Sequence, residues 1–205
     1  MKKIILSIAA TFAFLAMAWA QTPEEILARM EQAMEAAETS GMSMAMDIRI
    51  PVLGTTTSTL YMLGDKLRTE TTLLGHKLIT FTDGVTEWEY ESKSNELTIK
   101  KAKADDASSE AEMFDGITDG YDLSLKNETA DAWHLVCKKS RDNTDKDAPS
   151  KMDLVVSKKT YLPVSLSTRM EGVRLTLRDV VVGVDEKMLD FRVEDYPGVK
   201  IIDQR

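Results

Sequence analysis

Met42-Ser43-Met44-Ala45-Met46-Asp47-Ile48-Arg49-Ile50 decides the fold. Every second residue is methionine or isoleucine, and the residues between are small or charged. Side chains alternate across a strand with a period of two, so this stretch predicts a β-strand with one buried face. A helix would scatter the same apolar residues around its circumference.

The stretch before it has a different period. Thr22-Pro23-Glu24-Glu25 is a helix start: Thr22 caps, Pro23 takes the first helical position and Glu25 completes a capping box. Ile26, Met30, Ala33, Met34 and Ala37 then recur at three and four, one apolar stripe that must cover something. Ser40-Gly41 ends the helix. After the Met-rich strand come strands at 55–62, 66–72, 76–82, 85–90 and 96–102, separated by short turns such as Gly64-Asp65 and Asp83-Gly84. Further strands are expected at 121–127, 133–140, 152–157, 163–169, 173–182 and 199–202, with a short turn or helix at 188–191. Short strands at this spacing predict an antiparallel meander. Between them, residues 103–120 are acidic and rich in alanine and serine. Met113, Phe114 and Ile117 are spaced there for one or two helical turns, which predicts a loop carrying a short helix. The expected fold is mainly β (α+β). About eleven antiparallel strands form a highly curved sheet, covered on its apolar side by the N-terminal helix and the short helical segment.

The first twenty residues read as an address. Lys2 and Lys3 give a positive start, Ile4 to Ala18 an apolar run, and Ala18-Trp19-Ala20 a small-x-small cleavage site, so export with cleavage after Ala20 is expected. No cysteine follows that site, and residues 21–205 are expected to form one domain. Cleavage would make the formal charge of -8 two units more negative. An acidic surface argues against nucleic acid and against casual adsorption to anionic bilayers. The single cysteine, Cys137, excludes a disulfide framework. It alternates inward with Trp133 and Leu135, as a small buried hydrophobe.

Chemistry is sparse. The chain offers no convergent nucleophile, base and orienter, so catalytic residues and an enzymatic activity are not expected. His76 and His134 have no partner at ligand spacing, and Asp142, Asp145 and Asp147 lack the glycine and distal glutamate of a calcium loop. No metal or cofactor is implied. What stands out is methionine, twelve in all. Its unbranched, polarizable side chain suits an irregular core, and it equally suits a wall that accepts acyl chains of varied shape.

Three stretches carry a family resemblance. They are the opening helix followed at once by a strand, the run Lys77-Leu78-Ile79-Thr80-Phe81-Thr82-Asp83-Gly84-Val85-Thr86-Glu87-Trp88-Glu89-Tyr90, and the ending Pro197-Gly198-Val199 through Asp203-Gln204-Arg205. Together they resemble the LolA-like lipoprotein carriers, thinly but over most of residues 21–205. The resemblance implies an unclosed β-barrel with helices as a lid over a hydrophobic cavity. It also implies a monomeric periplasmic protein, acylated cargo, an inner-membrane donor and an outer-membrane acceptor. The cavity and lid residues would be Met30, Met34, Met42, Met44, Met46, Leu60, Met62, Leu78, Trp88, Tyr90, Met113 and Phe114. Arg68 and Glu70, two apart on one strand face, either pair across strands or orient a polar head group at the cavity mouth. Where the family often carries an Arg-Pro that latches the lid, this chain reads Leu63-Gly64-Asp65, and the latch role does not pass to Arg68. The alternative function is an envelope sensor or protein-interaction module on the same fold.

Overall fold

The computed structural model describes residues 21–52, 54–102 and 117–205. The expected leader, and Met113 and Phe114, lie outside the described residues. Helix α1 (Pro23–Glu38) begins with the predicted capping box. Glu25 N–H donates to Thr22 Oγ1 and Thr22 N–H to Glu25 Oε2, each at 3.2 Å. Twelve strands follow: β1 (Met42–Ile50), β2 (Gly54–Leu63), β3 (Lys66–Leu73), β4 (His76–Thr82), β5 (Thr86–Glu91), β6 (Glu96–Lys101), β7 (Tyr121–Glu128), β8 (Ala132–Lys139), β9 (Lys151–Ser157), β10 (Pro163–Met170), β11 (Val173–Val182) and β12 (Lys200–Asp203). They form one sheet in the order β12-β6-β5-β4-β3-β2-β1-β11-β10-β9-β8-β7, which leaves two edges and is not closed.

Curling of the sheet follows from its core. Leu60 on β2 and Leu135 on β8 belong to the same buried cluster, together with Ile26, Leu27, Met30 and Met34 of α1. Five strand spacings separate β2 from β8, roughly 24 Å in a flat sheet. A helix about 10 Å across cannot join both unless the sheet wraps around it.

The sheet departs from an antiparallel meander twice: β1 pairs with β11, so that β6 and β7, consecutive in the chain, lie far apart in the sheet, and β12 pairs parallel to β6. A parallel neighbour needs a connection that returns across the sheet. Residues 183–199 are that return, laid over the face opposite α1.

Gly41 joins α1 to β1. Its φ is +72°, and a Cβ there would sit 2.8 Å from the Met62 carbonyl oxygen, so any larger residue is strained and clashes. Cys137 has no exposed surface. Burial, with the Asp153 carboxylate adding to it, pushes its thiol up to about 11 from an ordinary 9.0. Between these values the unfolded chain has lost the proton and the folded chain keeps it. Stability therefore falls as pH rises through that window, by up to about 2.7 kcal/mol. Urea titrations at about pH 9 and 10.5 are expected to show this loss, and Cys137→Ala to remove it. A thiol reagent at about pH 8 should label the protein only after denaturation.

Candidate functional site

Strand register sorts the predicted residues by face. Directly opposed residues of antiparallel strands point the same way. Met42 faces Met62, Met44 faces Leu60 and Met46 faces Ser58. These side chains meet α1: Met42, Met44, Leu60 and Met62 share a buried cluster with Met30 and Met34, and Met46 packs against it half-buried. The fold therefore brings together seven of the named residues, Met30, Met34, Met42, Met44, Met46, Leu60 and Met62, as one wall under one helix.

The same register carries the inner face onward through Leu67, Thr69 and Thr71 on β3 to Thr82, Thr80 and Leu78 on β4. It then reaches Glu87, Glu89 and Glu91 on β5, and Lys100, Thr98 and Glu96 on β6. The inner face is thus apolar only in part. Its β3–β6 half is lined by threonine and glutamate, with Lys100 Nζ 3.0 Å from Glu87 and 3.2 Å from Glu89. Those partners, Glu87 foremost, hold the Lys100 ammonium above its usual range. Leu78 lies in this half between Thr71 and Glu91, 38% exposed, and is not part of the methionine wall.

Trp88 and Tyr90 take the other parity and lie on the face opposite α1. This is a correction of their expected place in the cavity. Both adjacent parities are apolar around β4, as Leu78 and Ile79 show, so periodicity alone did not assign the face. Trp88 stacks on Phe191 at 5.5 Å, Phe81 meets Phe191 edge-on at 5.7 Å, and Tyr90 packs on Tyr196 at 4.5 Å. These rings dock the 183–199 crossover on the sheet.

Arg68 and Glu70 share that outer face. Their pair, 2.6 Å, runs along one strand rather than between two. Arg68 Nη1 donates to the Met188 carbonyl at 2.9 Å, and its guanidinium lies 5.0 Å from the centre of the Phe81 ring. Arg68 therefore clamps the crossover and does not reach the mouth of the methionine wall.

One group escaped the sequence altogether. Tyr161, from the β9–β10 turn, packs on Trp133 at 5.3 Å and accepts a hydrogen bond from Arg29 Nη1 of α1 at 2.9 Å. Gln21 Nε2 donates to the same hydroxyl at 3.2 Å. Arg29 sits on the charged side of a helix pattern and Tyr161 in a turn about 130 residues away; no local signal links them.

No helix among the described residues is long and apolar enough to cross a membrane. No family model and no curated protein matches the chain. Among solved structures, an uncharacterised conserved protein of Thermus thermophilus is similar over 88% of this chain and 98% of its own, at 18% identity and a TM-score of 0.50. The Pseudomonas aeruginosa MucA/MucB complex is similar over 83% of this chain at 17% identity and a TM-score of 0.46, and the chain spans 62% of the length it matches there. A LolA superfamily protein of Nitrosomonas europaea is similar over 84% of this chain and 99% of its own, at 12% identity and a TM-score of 0.34. At such identities the likeness is one of fold. The chain is a mainly β, curled and unclosed sheet with a helix on its inner face, a fold it shares with the Thermus thermophilus protein.

Proposed function

We propose that the protein is an exported periplasmic carrier that holds acyl chains of lipoproteins or lipids non-covalently between α1 and the methionine wall. A donor at the inner membrane would load it and an acceptor at the outer membrane would unload it, with no catalytic step. The observation that carries this reading is how α1 is attached. Ile26, Leu27, Met30, Met34 and Ala37 are buried against the wall. Among the described residues, the backbone bonds that join this region to β11 and the segment after it are at its C-terminal end, from Gly183 and Val184 to the carbonyls of Gly41 and Ser40. The helix is a lid, hinged at Gly41 and latched at its other end by Arg29 and Gln21 on Tyr161.

Magnitudes fit an exchange of lid for ligand. Exposing the four large side chains of α1 costs roughly 6–12 kcal/mol. One acyl chain of about sixteen carbons offers roughly 12 kcal/mol at ~0.8 per methylene. A single chain therefore about offsets lid opening, and a cargo with two or three chains drives it. Native mass spectrometry with organic extraction tests this. Bound species of heterogeneous acyl mass support it; a clean apo mass that takes up neither diacyl lipid nor acyl-peptide removes it. Tyr161→Phe releases the latch and is expected to speed acyl uptake roughly two- to tenfold, read by Trp133 fluorescence.

A second reading rests on β7. Among the described residues, this eight-residue strand pairs with β8 on one side and with no strand on the other. An unpaired edge accepts an extended segment of another protein, which suits a sensor or interaction module. A one-to-one protein complex free of lipid would favour it over the carrier.

A further inference from the structure

On the face away from α1, Arg49 of β1 stands opposite Arg174 of β11, and Arg169 of β10 stands opposite the same Arg174. Opposed residues place their Cβ atoms about 4.5–5.5 Å apart. Three arginines thus leave neighbouring positions on three adjacent strands. With Pro51 and Gly172 they line a groove of about 400 Å³. All three are exposed, and none has an ion-pair partner among the described residues. Beyond them Lys151, itself paired with Asp153 at 2.9 Å, lies one position past the Thr168–Met152 pair, beside Arg169, and Lys138 faces Lys151.

Further along β11, the next arginine on this face is neutralised. Arg178 Nε donates to Asp47 Oδ2 at 2.7 Å and its Nη2 to Oδ1 at 3.1 Å, and that guanidinium holds the Asp47 carboxyl below its usual range. Like charges set opposite one another are unfavourable. An uncompensated row of three arginines, in a chain of formal charge -8, is a cost that a bound anion removes. Guanidinium forks match the oxygens of a phosphate group.

We propose that Arg49, Arg169 and Arg174 bind the phosphate of an anionic lipid headgroup at a membrane surface. The neighbouring turns favour a headgroup over a free ion. The β1–β2, β3–β4 and β10–β11 hairpins all turn at this end of the sheet, and Val52, Leu73 and Leu74 stand there 105%, 55% and 87% exposed. Apolar tips beside cations meet the two layers of a bilayer interface. The net negative charge opposes general adsorption, so the arginines act locally, within a Debye length of about 10 Å at 0.1 M salt. The site is on the opposite face from the methionine wall, and its test is independent of acyl binding.

Flotation with vesicles decides it. The protein is expected to float with phosphatidylcholine vesicles containing about 30 mol% phosphatidylglycerol, and not with phosphatidylcholine alone. Arg49→Gln/Arg169→Gln/Arg174→Gln should reduce the bound fraction by about tenfold or more. Lys93→Gln/Lys126→Gln/Lys159→Gln makes the same charge change at exposed positions elsewhere and should stay within about twofold. Matching melting curves establish that the variants fold. Equal flotation of the arginine variant and the wild type, equal loss in the lysine variant, or no flotation at all would each overturn the proposal. Saturable binding of inorganic phosphate in calorimetry, lost in the arginine variant and unaccompanied by flotation, would reassign the groove to a soluble phosphate and also overturn it.

Discussion

Met44→Ala is expected to lower the free energy of unfolding by about 2–5 kcal/mol, measured by urea titration. Met44 is 1% exposed and stands at the centre of the wall that α1 covers. Truncation removes the methionine's apolar contacts and leaves a space that the surrounding strands close only in part. The informative arm is ligand rescue. If the wall holds acyl chains, a diacyl lipid at about a hundred times its dissociation constant should restore about 2.7 kcal/mol. The same lipid should bind the variant at least as well as the wild type, since the space is already open. If the wall is only core, lipid leaves the midpoint unmoved in both proteins and the carrier function is wrong.

Trp88→Ala is expected to destabilise the protein by about 2–4 kcal/mol while leaving acyl binding within about twofold. Trp88 stacks on Phe191, which stacks in turn on Tyr196 at 5.7 Å. The indole therefore anchors the crossover that delivers β12 to the edge of the sheet. Its loss should free residues 183–205 first, visible as faster hydrogen exchange along β12 and the outer strand β6. A large drop in acyl binding with stability unchanged would return Trp88 to the cavity and overturn the assignment of faces.

The two results separate two apolar bodies that the sequence presents as one. Strand positions were legible because each hairpin has its own turn chemistry and each strand its own alternation. Helix α1 was legible because its cap, its stripe and its glycine stop are all local. The methionine wall followed, since Met42, Met44 and Met46 have only polar or small neighbours and so only one choice of buried face. Around β4 and β5 that logic had nothing to work with. Leu78, Ile79 and Phe81 occupy both parities, and the face is chosen by partners a hundred residues away. Arg68 shows the same effect: its neighbours in sequence suggest a cross-strand pair, whereas Phe81 and the Met188 carbonyl hold it.

By itself the sequence determined a mainly β chain with an N-terminal amphipathic helix and a methionine-rich strand face. Those properties depend on the period of apolar residues and on turn residues, each acting over a few positions. Only the tertiary structure decided that β12 runs parallel to β6, that aromatic rings pack on the outer face, that Tyr161 accepts a hydrogen bond from Arg29 of the helix and that three arginines align with no ion-pair partner among the described residues. Each of these depends on which strands lie side by side once the sheet has curled. That arrangement is a long-range packing choice that no local pattern encodes.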